Sequence, residues 1–242
     1  MTQEFYLILF IVLSLILSYL IGSIPTAKII ASRHGVDITK EGSKNAGGTN
    51  VGRVIGKKAG ILTMFLDGLK CLIPCYIALL LIRFTGLSYL TGTKIDELLV
   101  SLVAFAVCIG HSFPLFNHFK GGKCVACFAG YVLFFSPIIA VFGCATFFLV
   151  FFLKHKVSLS SLIAAPTVFL LASVPMILDF TLLKDPTQFN GGLYYGQGFM
   201  LHLSYVTFLS VMVIVALIVI RHKTNIKRLE NGTEPITKFK KD

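Results

Sequence analysis

KGGKCVACFAGYVLFFSPIIAVFGCATFFLVFFLKHK, residues 120–156, decides how this chain must fold. No charged residue interrupts it between Lys123 and Lys154. As one helix, residues 124–153 would be about 45 Å long, well beyond the roughly 30 Å of a bilayer's hydrocarbon core. Both ends are basic, with Lys120 and Lys123 before the run and Lys154 and Lys156 after it. Basic flanks mark the cytoplasmic side of a membrane segment, so both ends belong on one side. Ser136-Pro137 offers a break, because the residue before proline is pushed out of helical conformation. The run therefore reads as a hairpin of two short helices turning at that dipeptide.

The remainder has the same character. The chain is 55% hydrophobic and only 14% charged. Its mean hydropathy is +0.83, whereas a soluble domain is roughly a quarter charged. Apolar runs at residues 5–30, 60–82, 98–108, 125–136, 137–153, 161–178 and 200–220 predict membrane helices, the third continuing toward Phe116. The fold class is an all-α integral membrane protein of about seven transmembrane helices, with residues 1–242 forming a single domain. No repeat, low-complexity tract or long polar linker divides it. The first run follows an acidic start without Lys or Arg, so it reads as a retained span rather than a signal peptide.

Eighteen of the 22 basic residues fall at residues 28–58, at 120–123, at 154–156 and in the tail from Arg221. That asymmetry puts the amino terminus outside and the carboxyl terminus in the cytoplasm of a multi-pass cell-membrane protein. The net charge of +11 is accounted for by the same rule together with attraction to anionic lipid. Nucleic-acid binding is excluded, since the basic residues hug membrane ends instead of forming a free patch.

Three polar clusters then share the cytoplasmic face. They are GSKNAGGTNVGR (residues 42–53), GHSFPLFNHFKGGK (110–123) and RHKTNIKRLENGTE (221–234). Each combines glycine, hydroxyl or amide side chains and cations, the ingredients of a phosphate site. In the first, Ser43, Asn45, Thr49 and Asn50 offer donors. Its glycines free the backbone, and Arg53 adds a bidentate fork. An ordinary turn-rich loop is the plainer alternative. The second carries His111, Ser112 and the run Lys120-Gly121-Gly122-Lys123. That run is not a nucleotide-binding P-loop, because Lys123 is followed by Cys124. In the third, His222, Asn225 and Arg228 form one stripe if the last helix continues; a solvated tail is the alternative.

Asp67 and Lys70 stand three apart inside the second span and can pair on one helix face. A structural pair orienting the first loop is the preferred reading, and direct catalysis by Asp67 the other. The six cysteines lie in or beside apolar runs and read as small buried apolar residues rather than metal ligands. No histidine is followed five positions later by an acid, so the His-x4-Asp acyltransferase device is absent.

The order of these motifs is similar to that of the bacterial acyl-phosphate:glycerol-3-phosphate acyltransferase family. GSIP (residues 22–25), GSKNAGGTNVGRVIGKKAG (42–60), DGLK (67–70), GHSFPLFNHFKGGK, VSLSSL (157–162) and RHKTNIKRLENGTE carry the resemblance almost end to end. It implies a membrane enzyme that moves an acyl group from acyl phosphate to the sn-1 hydroxyl of glycerol 3-phosphate, giving lysophosphatidic acid and phosphate. It implies no cofactor and no metal. An enzyme that supplies acyl phosphate is a candidate partner. By motif, Ser43, Thr49, Asn50 and Arg53 hold phosphate groups, while Asn45 and the loop glycines shape the pocket. Lys120, Gly121, Gly122 and Lys123 face the substrate anions beside His111. His222 and Asn225 complete the glycerol 3-phosphate site, supported by Arg228 and Glu234. Ser43, Arg53, Lys123 and His222 form the catalytic centre. The sequence departs from the usual pattern where Lys44, Cys71 and Cys124 replace glycine and Cys127 replaces a hydroxyl residue.

Two phosphorylated substrates repel each other, so positioning and electrostatic stabilisation are expected to carry most of the rate. The base that takes the hydroxyl proton is His222, His111 or a substrate phosphate oxygen, with the last preferred. The rival readings are an organic-phosphate transporter and a non-catalytic scaffold. A transporter is disfavoured by the absence of a repeat and by polar clusters at one face.

Overall fold

The computed structural model describes residues 3–86, 93–181 and 205–240. Among the described residues all regular structure is helical: α1 (Gln3–Gly22), α2 (Thr26–Ser32), α3 (Gly48–Val54), α4 (Lys57–Phe84), α5 (Thr93–Ser112), a 3-10 turn (Leu115–Asn117), α6 (Val125–Phe135), α7 (Pro137–Lys154), α8 (Val157–Thr181), α9 (Tyr205–Arg221) and α10 (Lys223–Glu230). Each predicted apolar run has a helix on it. Residues 200–204, the start of the last predicted span, lie outside the described residues.

The first run is broken where it was expected to be continuous. Pro25 caps α2 from outside helical conformation, and the chain between Gly22 and Thr26 is not helical. Just past the last predicted run the chain bends by 60° between α9 and α10, with His222 at the corner, so the last helix does not continue straight through the His222–Arg228 stripe. Both breaks place polar backbone near the end of a span, where side chains can meet it.

The expected hairpin forms. α6 stops at Phe135, and Ser136 adopts extended geometry (φ −156°, ψ 99°). Its hydroxyl accepts a hydrogen bond from Ile139 N at 3.3 Å, and Pro137 occupies the first turn of α7. Both ends of the hairpin return to one face. Lys123, just before α6, bonds Asn225 of α10, and the His155 carbonyl, just after α7, accepts from Thr237 N. With 11 residues α6 is about 16 Å long. Among the described residues five segments are long and apolar enough to cross a bilayer, namely Gln3–Ser32, Lys57–Phe84, Ile95–Asn117, Pro137–Lys154 and Val157–Val174. The bent α9–α10 pair makes a sixth.

Helices in lipid gain little from burying apolar surface against one another, so close packing at small residues holds them together. α1 meets α5 through two glycines. A Cβ on Gly22 would stand 2.3 Å from the Val107 carbonyl, and one on Gly110 2.3 Å from the Tyr19 carbonyl. α3 lies on α4 through Gly48, Gly52 and Gly60. α6 meets α4 where a Cβ on Gly130 would come within 2.2 Å of the Gly68 carbonyl oxygen. These contacts fix the inner ends of α3, α5 and α6, on which the polar clusters are mounted.

Gly130 gives this packing a test with a definite sign. In a free helix, glycine to alanine would stabilise by about 1 kcal/mol. Here the added methyl meets backbone, so Gly130→Ala should destabilise by about 1–3 kcal/mol through overpacking. Thermal unfolding in detergent should show a lowered Tm; a raised Tm would contradict the close α4–α6 approach.

Candidate active site

Arg53 and Lys123 are the centre of the site, and each is held by a neutral oxygen. The Arg53 Nη2 donates to Thr237 Oγ1 at 3.0 Å, and Lys123 Nζ donates to Asn225 Oδ1 at 2.6 Å. Among the described residues neither cation forms a salt bridge. The carboxylate of Glu234, 5% exposed, is engaged elsewhere. It accepts from Ser158 Oγ at 2.5 Å, from Asn225 Nδ2 at 2.7 Å and from Arg228 Nε at 2.7 Å. Glu234 therefore fixes the amide that fixes Lys123, and it acts on both site cations only at longer range, without an ion pair to either.

The α9–α10 bend makes this possible. Asn225 and Arg228 sit three apart on α10 and both reach Glu234, so this part of the predicted stripe shares one face. His222 is at the corner and is 2% exposed. Its Nδ1 lies 2.8 Å from the Ile218 carbonyl, which can only accept, so Nδ1 carries a proton. In the neutral ring Nε2 is then the free acceptor. His222 lies within electrostatic reach of Lys123 and Glu234.

The first cluster divides by role. Its second half is helix α3, which puts Thr49 and Arg53 four apart on one face, beside the glycines that touch α4. Asn50, 1% exposed, turns inward. Its Nδ2 donates to the Ile38 and Glu41 carbonyls, both at 3.0 Å, and its Oδ1 accepts from Ser43 N at 2.8 Å. The Asn50 amide that the sequence offered to phosphate is thus engaged in shaping the loop. The side chains of Ser43, Asn45 and Thr49 form no hydrogen bond among the described residues. Gly42 has φ +58° with its absent Cβ facing Asn50 Oδ1 at 2.4 Å, so glycine is required there.

The second cluster is walled by His111. Gly122 N donates to the His111 carbonyl at 3.0 Å. A Cβ on Gly121 would stand 2.1 Å from that carbonyl oxygen, and one on Gly122 2.1 Å from the His111 Nε2. The two glycines are there to let the loop lie on the imidazole. Arg221 clamps them from the far side, donating from Nη2 to the Gly121 carbonyl at 3.0 Å and from Nε to the Gly122 carbonyl at 3.2 Å. Its guanidinium stacks 5.0 Å from the Phe113 ring centre. Lys120 is exposed at the loop's rim.

Asp67 and Lys70 do pair, at 2.9 Å, with both side chains under a tenth exposed. Their contacts differ from expectation. Lys70 reaches the Ile24 carbonyl at 3.2 Å, and Thr26 donates to Asp67 at 2.7 Å, so the pair secures the α1–α2 break rather than the first loop. Asp67 Oδ1 also lies 3.7 Å from His111 Nδ1. The fold thus brings together a histidine and a carboxylate that lie 44 residues apart and that no local motif could reveal. Lys70 neutralises that acid, and Gly122 covers the ring. The pair anchors the wall behind Lys123.

Two departures from the resemblance find their place. Lys44 (φ +57°) and Cys124 (φ +67°) adopt the left-handed conformation that suits glycine, at a cost of about 1–2 kcal/mol each. Ser158, Arg221 and Thr237 were not assigned roles from sequence. Ser158 lies in the quoted VSLSSL motif, whereas nothing local distinguishes Thr237.

Burial, more than the crowding of cations, sets the charge state of Lys123. Burial pulls its pKa down to about 8, against the support of Glu234 and with the help of Arg228, Arg53 and Arg221. Burial raises the pKa of Glu234, but its hydrogen bonds from Ser158, Asn225 and Arg228 outweigh that and keep it ionised. Glu234→Gln should therefore move the Lys123 titration below about 8. The pH dependence of amine labelling at Lys123, read by mass spectrometry, checks this; an unchanged or raised midpoint would contradict it.

Comparisons with known proteins agree with this geometry. The family model for glycerol-3-phosphate acyltransferase matches residues 12–232. A glycerol-3-phosphate acyltransferase of Bacillus velezensis is 36% identical over 230 residues, covering 95% of this chain and 98% of that one. One from Aquifex aeolicus is 37% identical over 219 residues, covering 90% and 95%. The crystal structure of PlsY (YgiH), an integral membrane glycerol 3-phosphate acyltransferase, in its glycerol 3-phosphate form superposes with a TM-score of 0.74 at 34% identity, covering 93% of this chain and 94% of that one. Its lysophosphatidic acid form gives 0.73. The chain is an all-helical integral membrane protein and belongs to the glycerol-3-phosphate acyltransferase family.

Proposed function

We propose that this protein transfers an acyl group from acyl phosphate to the sn-1 hydroxyl of glycerol 3-phosphate, releasing lysophosphatidic acid and phosphate. The observation that carries the reading is the pair Arg53 and Lys123, both half-buried and oriented only by neutral oxygens. Such charge is built to be cancelled by a bound anion. Family membership and the substrate and product forms of a similar structure support the same reaction.

Arg53 and Lys123 offset the repulsion between the two phosphorylated substrates. Ser43, Asn45 and Thr49 supply uncommitted donors, and His222, Asn225 and Arg228 line the glycerol 3-phosphate side. The hydroxyl oxygen attacks the acyl carbon, and the carbon–oxygen bond to phosphate breaks with its electron pair leaving on phosphate. The hydroxyl proton passes to a substrate phosphate oxygen. Two facts favour that route over a protein base. His111 is enclosed between Asp67 and Gly122, and its acid partner is neutralised by Lys70. Among the described residues His222 has no carboxylate on its ring. Phosphate is a good leaving group, so positioning and charge supply most of the rate.

The chain is one domain over residues 1–242 with seven membrane-embedded helices, counting α6. Its amino terminus is outside, and its active site faces the cytoplasm of a bacterial cell, where the basic residues lie. The acyl chain enters from the bilayer between helices, and an enzyme making acyl phosphate is the natural partner.

Purified protein in detergent, given palmitoyl phosphate, should release phosphate only when glycerol 3-phosphate is present. Palmitoyl-CoA should not substitute. Uptake of glycerol 3-phosphate into proteoliposomes without acyl transfer would overturn the reading. Arg53→Lys, which keeps charge but loses the fork, should lower kcat/KM about tenfold or more. Loss of turnover in His222→Ala with glycerol 3-phosphate binding intact would replace the substrate base by His222.

A further inference from the structure

We propose that Thr237 is a positioning residue for Arg53, and that the carboxyl-terminal strap of residues 234–240 is thereby a working part of the active site. This rests on the reading of Arg53 as an anion-holding group. The strap lies past the residues that the family model matches.

The strap is fixed along its length. Glu234 takes hydrogen bonds from α8 and α10 through Ser158, Asn225 and Arg228. Lys240 N donates to the Gly52 carbonyl at 3.1 Å, and Lys57 N donates to the Lys240 carbonyl at 3.2 Å. Phe239 covers Gly52, where a Cβ would stand 2.7 Å from the ring, and it lies 6.3 Å from the Phe151 ring centre. Between these anchors sits Thr237, 6% exposed. Its N–H donates to the His155 carbonyl at 2.7 Å, and its Oγ1 accepts from Val157 N at 3.3 Å. The corner between α7 and α8 therefore sets the position of one oxygen, and Arg53 Nη2 donates to that oxygen at 3.0 Å.

Among the described residues this is the hydrogen bond that orients the Arg53 guanidinium. A carboxylate at residue 237 would orient it equally well and cancel its charge. A hydroxyl fixes the plane of the fork and leaves the charge and four of its five N–H groups for substrate. Thr237 thus acts through Arg53 without touching substrate.

The test is a double-mutant cycle in the palmitoyl phosphate assay. Thr237→Val keeps the shape and removes the acceptor. It should raise KM for glycerol 3-phosphate about tenfold or more, the scale of a hydrogen bond to a charged group, alongside a lowered Tm, because Val157 N loses the same acceptor. Thr237→Ser should recover most of the loss. In an Arg53→Lys background Thr237→Val should cost little more, because the group it orients is gone. A merely structural Thr237 would instead lower Tm without a selective rise in KM and add its full cost in either background, which would overturn the proposal. If Thr237→Val does not fold, Thr237→Ala is read in the same cycle with the same two outcomes. Wild-type protein that turns over no glycerol 3-phosphate would refute the proposed reaction. Active wild type with an equally active Thr237→Val would refute this inference alone.

Discussion

Two half-buried cations without an ion-pair partner among the described residues set the terms for the rest of the site. A buried charge is costly unless paired and hydrogen-bonded. Arg53 and Lys123 are hydrogen-bonded but not ion-paired, through Thr237 and Asn225. The acids nearby are all committed to other partners, Glu234 to Ser158, Asn225 and Arg228, and Asp67 to Lys70 and Thr26. Acids orient the orienters, neutral groups orient the cations, and the site keeps a deficit of negative charge that phosphate can fill. The price appears in Lys123, whose proton is held less tightly than an ordinary lysine's.

Glycine makes the arrangement possible by closeness more than by flexibility. Gly121 and Gly122 are needed because the loop lies against His111 with no room for a methyl group. Gly48, Gly52 and Gly60 bring α3 onto α4, so that Arg53 projects from a helix and not from a free loop. The first cluster, met as sequence, looks like a glycine-rich cradle whose backbone wraps an anion. Folded, half of it is a packed helix, and Asn50 ties the other half into place.

Much of this was legible in advance. The hairpin at Ser136-Pro137 followed from charge at both ends of an overlong apolar run, because helix rise and bilayer thickness leave few alternatives. That the clusters converge also followed from charge, through the single side to which their basic residues assign them. Contacts between residues distant in sequence were not legible. His111 meets Asp67, and Arg53 meets Thr237 across 184 positions, through packing that no local spacing encodes. The break at Pro25 was hidden because hydropathy averages over it, and whether the last helix continues past residue 220 is not a matter hydropathy decides. Asn50 was misjudged for a different reason. An amide is equally suited to bind a phosphate or to fix a turn, and only burial decides between them.

Proton uptake on substrate binding tests the uncancelled charge most directly. In the free protein Lys123 titrates near about 8. At about pH 8.5 it is therefore mostly neutral, and a bound phosphate must raise its pKa and draw in a proton. Calorimetry of glycerol 3-phosphate binding in two buffers of different ionisation enthalpy measures that proton. The account predicts uptake of a large fraction of one proton at about pH 8.5, shrinking toward zero near pH 7 where Lys123 is already charged. Binding at the higher pH with no uptake, or with release, would mean that Lys123 does not meet the phosphate as an uncancelled cation.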